Sequence, residues 1–443
     1  MYKFNPAMDA ISAKKERFVW LGFMGVVFFL LYGSSNQFAS LNAPNPSLFM
    51  EWETQIPFIE VFIIPYMSSD LMFVIAFLLP YTRLELRILA ARVLFIVALS
   101  TLIFTLFPLE YSFAKPKIEE FPILFGMLQA DLPYNQLPSL HISFSIVLWA
   151  SMKKYLKPKW LKYIVASWFY LIALSTLFVF QHHFIDIPTG IIMGLFATWF
   201  ISKDKNSYFI SGFSTPRSIK MGFYYLIASA IFMILSFYIV TFQWFFIWIF
   251  LSLFSVSIVY ALGLNTMLVG ENAKANIWQW LLFFPYFAGN YISWNYYKSR
   301  ISLMATVVPK IYLGRFPTKD EYKDLSSKSI GHTINLASEQ QLHKASIKET
   351  RLPFLDQTIQ SPESLHRGVE LIELYKEDGV YVHCALGLSR SVLLISAWLL
   401  YQKYTLEEVD ELIANIRPNY IKSEYMKINL EIYQNYLNLY IEC

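Results

Sequence analysis

The 443-residue chain is 56% hydrophobic, 18% aromatic and 15% charged, which excludes an ordinary soluble enzyme with a fully charged surface. Residues 1–300 carry 21 Lys and Arg against 14 Asp and Glu, and residues 301–443 carry 15 against 18, so a charge-poor membrane unit precedes a soluble domain of usual size. The net charge of +4 comes from cations placed beside apolar runs, which argues against nucleic acid as a partner, and two cysteines, Cys384 and Cys443, make no disulfide framework.

Apolar stretches near 18–34, 57–80, 88–108, 138–152, 161–181, 185–202, 221–241 and 243–265 predict eight bilayer spans. Lys14, Lys15 and Arg17 precede the first, and no small-residue cleavage site follows it, so it reads as an uncleaved span. Cations recur on alternate connections: Arg83, Arg87 and Arg92, then Lys153 to Lys162, then Lys203, Lys205, Arg217 and Lys220. The positive-inside rule places these in the cytoplasm and turns 35–56, 109–137 and 180–187 to the other face, where Lys115 and Lys117 are the cations. Asp70, beside Ser68 and Ser69 in the second run, reads as a hydrogen-bonding residue at a helix break. A ninth apolar piece, 279–296, contains Pro285 and ends in WNYYKSR. Lys298, Arg300, Lys310 and Arg315 favour an interfacial helix there and a cytoplasmic domain after it.

From about residue 305 short strand-like runs, IYLG (311–314), HTINL (332–336) and VYVH (380–383), alternate with amphipathic stretches, the pattern of an α/β domain. Thr405 and Glu408 form a capping box that opens a helix over TLEEVDELIANI. The expected organisation is a membrane domain over 1–205, further transmembrane or interfacial helices and a linker over 206–300, and a catalytic domain over 301–443.

In VYVHCALGLSRS, Cys384 follows a strand, Gly387 sits in a tight turn, and Arg390 and Ser391 open a helix. A loop of this length can curl the N–H groups of Ala385, Leu386, Gly387, Leu388 and Ser389 around a phosphate, as helix N-termini and backbone nests do. The same field lowers a thiol pKa, so Cys384 can attack phosphorus as a thiolate. Arg390 offers a planar fork for two phosphoryl oxygens, and Ser391 can hydrogen-bond the departing sulfur. This run resembles the HCxxGxxRS signature of dual-specificity phosphatases in the protein tyrosine phosphatase superfamily, and IYLGR (311–315), NLASE (335–339) and IRPNY (416–420) extend the resemblance. The resemblance implies a phosphocysteine intermediate, with Asp356 of LPFLD as general acid and later base. The uncharged loop positions argue against polyphosphorylated lipid heads.

PSLHISFS (138–145) and STLFVFQHHFIDIPTG (175–190) hold three of the seven histidines at the outer ends of predicted spans, where ionisable groups are costly and usually functional. His182 and Asp186 share one face of a helix beginning there, so Asp186 can fix the His182 tautomer and free its other nitrogen to attack. His141 can protonate a leaving alkoxide, and Ser139 can bind phosphoryl oxygens; His183 reads as a neighbour. These segments resemble the PSGH and SRxxxxxHxxxDxxxG motifs of type-2 phosphatidic acid phosphatases, six-helix membrane enzymes that act through a phosphohistidine without metal. The resemblance implies His182 as nucleophile, Asp186 as its partner, His141 as acid, Gly190 as a close-packing residue and Lys115 as a phosphate-binding cation. Leu140 and Thr176 depart from the motif's Gly and Arg; HHFID is also similar to the HYxxDV of sphingomyelin and inositol phosphorylceramide synthases.

The expected protein is therefore a polytopic α-helical membrane domain, with a six-helix phosphatidic acid phosphatase-like core plus extra spans, followed by an α/β cysteine-phosphatase domain. Neither site needs a cofactor or metal. The expected partners are the bilayer, a phosphorylated protein or small phosphomonoester at Cys384, and a phospholipid or isoprenyl phosphate at His182. The sequence leaves the membrane unit open between a phosphatase, a lipid phosphotransferase and an inactive anchor.

Overall fold

The computed structural model describes residues 14–128, 131–202, 215–269, 274–340 and 347–440. Lys203, Lys205, the expected boundary at 205/206 and Cys443 lie outside the described residues. The described residues fall into two compact units, 14–202 and 215–440.

The first unit contains helices α1 (Lys14–Leu41), α2 (Ile63–Leu78), α3 (Arg83–Leu106), α4 (Leu140–Met152), α5 (Lys159–Phe178) and α6 (Asp186–Phe200). Each covers a stretch predicted to span. Among the described residues of the whole chain, however, six helices are long and apolar enough to cross a membrane, and α4 and α6 are not among them. With 13 and 15 residues they reach about 20 and 22 Å at the α-helical rise, short of the roughly 30 Å hydrocarbon layer. The difference lies at their outer ends, where Pro138, Ser139 and residues 179–185 form connecting chain that carries the candidate site. Helix α2 also runs unbroken past Asp70, so the expected helix break is absent.

Helices α4 and α6 pack closely because α6 presents glycines four residues apart. A Cβ at Gly190 or Gly194 would come within 2.8 Å of Ser139 O or Ser143 O, and the Ser143 hydroxyl bridges the pair by donating to Ser139 O (2.8 Å) and Gly190 O (3.1 Å). This contact brings the starts of both helices, hence His141 and Asp186, to the same place.

The second unit joins helices α7 (Pro216–Tyr238), α8 (Gln243–Leu262) and α9 (Ile277–Tyr297) to a five-stranded sheet. Thr215 caps α7 by accepting the Ser218 N–H, with Pro216 in the first turn where it costs no hydrogen bond. Helix α9 opens on a capping box of Asn276 and Gln279, passes through Pro285, and leads by the turn Lys298–Arg300 into the sheet. The strands are β1 (Met304–Val308), β2 (Ile311–Arg315), β3 (His332–Ala337), β4 (Lys348–Phe354) and β5 (Val380–Cys384), in the order β1-β2-β5-β3-β4. Strand β1 is antiparallel to β2 and the other pairs are parallel. Central β5 is buried along its whole length, as expected of a parallel strand covered on both faces. Helices α10 (Lys319–Ser327), α11 (Pro362–Tyr375), α12 (Arg390–Tyr401), α13 (Leu406–Ile416) and α14 (Glu424–Tyr440) complete the domain. The Thr405–Glu408 capping box opens α13 as predicted.

The main core gathers Leu313, Ile334, Val382, Val392 and Leu394 between the sheet and its helices. A second core differs from the expected arrangement. Leu355, from the loop after β4, lies among Val256, Val259 and Tyr260 of α8 and Phe283, Tyr286 and Phe287 of α9. The helices expected as a separate piece over 206–300 thus share a hydrophobic core with the α/β domain.

Candidate active sites

Strand β5 ends on Cys384 and α12 begins on Arg390, so the connecting loop must reverse within a few residues. It does so at Gly387, which has φ +69°, and a Cβ there would fall 2.3 Å from the backbone of Gly314. Glycine meets both demands. The Gly387 N–H points at Cys384 Sγ (3.3 Å), and the Ser391 hydroxyl lies 3.6 Å from that sulfur. The loop's carbonyls turn outward. Ala385 O accepts from Phe316 N–H (3.1 Å) and Leu388 O from Ile421 N–H (2.8 Å). Arg417 Nε donates to Gly387 O (3.1 Å) while its other nitrogens hold Ser302 Oγ (2.6 Å) and Ser302 O (3.0 Å). Carbonyls tied outside leave N–H groups for an anion inside.

Arg390 is buried and held as a fork: Nη1 donates to Glu339 Oε2 (2.7 Å) and Phe354 O (3.0 Å), and Nη2 to Glu339 Oε1 (2.5 Å). Its Nε makes no hydrogen bond to a described residue and lies 3.7 Å from Asp356 Oδ1. Burial opposes the Arg390 charge, but the Glu339 carboxylate facing it, helped by Asp356, holds its pKa well above the ordinary arginine value. Asp356 Oδ1 accepts from the Ser389 hydroxyl (2.9 Å), which also contacts the Tyr425 hydroxyl. Burial, then the Asp356 charge, pushes the Tyr425 phenol up, so it stays protonated. Cys384, Gly387, Ser389, Arg390, Ser391 and Asp356 thus lie together, with Ala385, Leu386 and Leu388 forming the rest of the loop. Three partners had no role assigned from sequence: Glu339, Arg417 and Tyr425. The first two lie in NLASE and IRPNY, which marked their segments without marking their contacts. His383, next to the cysteine, is fully buried beside Phe316 and Tyr381, and burial, then Arg351, pushes its pKa to about 3. It is a neutral packing group.

In the other unit, His182 Nδ1 lies 3.0 Å from Asp186 Oδ2, an oxygen that also accepts the His183 N–H at 3.0 Å. His182 is not on the helix: α6 starts at Asp186, and the pair closes across the turn before it. The His141 and His182 rings are 6.0 Å apart, and His141 lies against Tyr66 (4.3 Å). Ser139 is fully buried, its N–H donates to Asp186 O (3.3 Å), and its hydroxyl makes no hydrogen bond among the described residues. Lys115 stands within electrostatic reach of Asp131, and Asp131 of His182. Asp131, unmarked by any motif, accepts from Tyr32 (2.8 Å) and Asn36 (2.9 Å). His183 is otherwise engaged, with Nδ1 3.2 Å from Glu53 Oε2, Nε2 3.2 Å from the Ser47 hydroxyl, and its ring stacked on Tyr111. Thr176, where the phosphatidic acid phosphatase motif has Arg, shapes the same turn through its carbonyl, which accepts the N–H groups of Gln181 (3.0 Å) and His182 (3.1 Å).

Residues 311–435 match the family described as the dual specificity phosphatase catalytic domain. The chain is 38% identical over 80 residues to the mouse protein named phosphatidylglycerophosphatase and protein-tyrosine phosphatase 1, which covers 17% of this chain and 42% of the relative. The rat protein of that name is 38% identical over 77 residues, 16% of this chain and 40% of the relative. The chain thus spans less than half the length of these curated relatives. A solved structure described as PTPMT1 in complex with PI(5)P aligns at 24% identity and a TM-score of 0.28, covering 31% of this chain and 96% of that one. Residues 311–435 accordingly belong to a dual-specificity phosphatase catalytic domain, built here on a mixed α/β sheet.

Proposed function

We propose that the C-terminal domain hydrolyses phosphomonoesters through a phosphocysteine, in a protein held in a membrane with this domain on the cytoplasmic side. The convergence of Gly387 N–H and the Ser391 hydroxyl on Cys384 Sγ, at 3.3 and 3.6 Å, carries the reading. Cys384 thiolate attacks phosphorus, the loop N–H groups and Arg390 hold the phosphoryl oxygens, and Asp356 protonates the leaving oxygen. Asp356 then takes a proton from the water that splits the phosphocysteine, and Ser391 stabilises the sulfur as it leaves. The relatives' names join a lipid phosphate to phosphotyrosine, so both a phospholipid monoester and a phosphoprotein are candidate substrates. Full-length Cys384→Ser should lose hydrolysis of p-nitrophenyl phosphate, and the native protein should be blocked by vanadate and indifferent to EDTA. Retention of vanadate-sensitive activity by the Cys384→Ser, His182→Ala double variant would overturn the reading.

The His182–Asp186 pair at 3.0 Å, with His141 beside it, favours a second phosphoryl-transfer site in the membrane unit, acting through a phosphohistidine. There His182 Nε2 is the nucleophile, Asp186 its orienting partner, His141 the acid, and Ser139 and Lys115 the phosphate ligands. With Thr176 in place of an arginine, the site is suited to a singly charged phosphodiester as well as to a monoester such as phosphatidate or an isoprenyl phosphate. Purified Cys384→Ser protein, given labelled lipid phosphates with and without a lipid alcohol, should release inorganic phosphate if the site is a hydrolase and a new phospholipid if it is a transferase. Neither product from this panel would leave the membrane unit as an anchor.

A further inference from the structure

The loop that carries Asp356 is fastened at both shoulders to the apolar helices. On one side Leu355, 1% exposed, is a member of the core formed by Val256, Val259 and Tyr260 of α8 with Phe283, Tyr286 and Phe287 of α9. That socket is itself braced, since the Tyr260 and Tyr286 hydroxyls are 3.2 Å apart and Tyr225 of α7 stacks on Tyr260 at 5.5 Å. On the other side Gln357 O accepts a hydrogen bond from the Thr215 hydroxyl (2.9 Å), the same hydroxyl that accepts the Ser218 N–H (3.0 Å) and caps α7. Gln357 has φ +63°, a left-handed conformation that a side-chain-bearing residue rarely keeps unless its surroundings hold it. Between these anchors Asp356 is presented to Ser389 Oγ at 2.9 Å and to Arg390 Nε at 3.7 Å. The Tyr225 and Tyr260 phenols stand within electrostatic reach of Asp356 and Glu339.

We propose that α7, α8 and α9 form a dock that positions the proton donor, with Thr215 and Leu355 as positioning residues of the phosphatase reaction. The inference rests on the reading of Asp356 as general acid. A loop held this way needs no closure before proton transfer, and its geometry is set by residues far outside the segment 311–435 that matches the phosphatase family. The dock acts through Asp356, so in phosphocysteine formation, the step that kcat/KM reports, its loss should appear only where the leaving group needs a proton.

The full-length protein tests this with two substrates, an alkyl phosphate and 2,4-dinitrophenyl phosphate, whose leaving group departs without a proton. Thr215→Val and Leu355→Ala should each lower kcat/KM on the alkyl phosphate by roughly 10- to 100-fold, a share of what general acid catalysis supplies. On dinitrophenyl phosphate kcat/KM should stay within about 2-fold, and Thr215→Ser should restore the native values on both substrates. Equal losses of kcat/KM on both substrates, or no loss on either, would overturn the dock. Asp356→Asn separates the two ideas. If it lacks the leaving-group dependence, the acid assignment and the dock fall together; if it shows the dependence while Thr215→Val does not, the dock alone fails. Thr215→Val keeps the test decisive should Leu355→Ala not fold.

Discussion

Glu339 occupies both terminal nitrogens of Arg390, at 2.7 and 2.5 Å, and thereby fixes the plane of the guanidinium before any phosphate arrives. A lysine at 390 would keep the charge and lose the fork. Arg390→Lys should therefore lower kcat/KM at the Cys384 site by at least about 100-fold, on the order of 3 kcal/mol, in steady-state assays on a phosphomonoester. Glu339→Gln, which keeps shape and removes charge, should act mainly on KM by loosening the arginine. His383 makes a different prediction. Its pKa is about 3 in the folded domain against an ordinary 6.5, so between these values the unfolded chain binds a proton that the folded one does not. The stability this represents is complete above pH 6.5 and is lost as the pH falls towards 3, in total on the order of 5 kcal/mol. Thermal melts at pH 7.5 and 5 should show a larger drop for the native protein than for His383→Gln, and equal drops would refute the burial argument.

The phosphate loop is an element whose shape depends on one residue. At Gly387 the backbone is left-handed and Gly314 leaves no room for a methyl group. Gly387→Ala should abolish turnover and lower stability by roughly 1–3 kcal/mol, read by denaturant titration. This element was legible in the sequence because strand, cysteine, glycine and arginine follow one another and each type has one local job. Glu339 was not, since its partner is 51 residues away and a carboxylate at the end of NLASE announces no guanidinium. The spans at 138–152 and 185–202 were located but overdrawn, because hydropathy does not separate the last helical turn from an apolar turn that holds a histidine. Helices α7 to α9 were located too, yet their apolar side chains look the same in sequence whether they meet lipid or Leu355, so their packing on the phosphatase domain had no signal. Asp131 lies beyond both membrane-site motifs and became visible only through its place near His182 and Lys115.

Across the whole molecule, the proposed cysteine and histidine chemistries reside in separate compact units, one containing Cys384 and the other His182. Cys384→Ser and His182→Ala should consequently remove different activities, each leaving the other intact, and the double variant should remove both with losses that add on a logarithmic scale. Asp186→Ala should add nothing to His182→Ala, because the two side chains act as one pair. The junction between helix and sheet in the second unit sets one more property. Six residues, 298–303, separate α9 from β1, and Trp294 near the end of α9 donates its indole N–H to Phe316 O at 3.1 Å. A phosphatase on a flexible leash sweeps a volume that grows with leash length; this one is a fixed jaw with no leash. Its catchment is whatever diffuses past the ends of its own helices. If α7 and α8, both long and apolar enough to cross a membrane, are seated in a bilayer, a phosphate carried by that bilayer reaches the jaw by a two-dimensional search, and a phosphate in bulk water gains nothing from the anchoring.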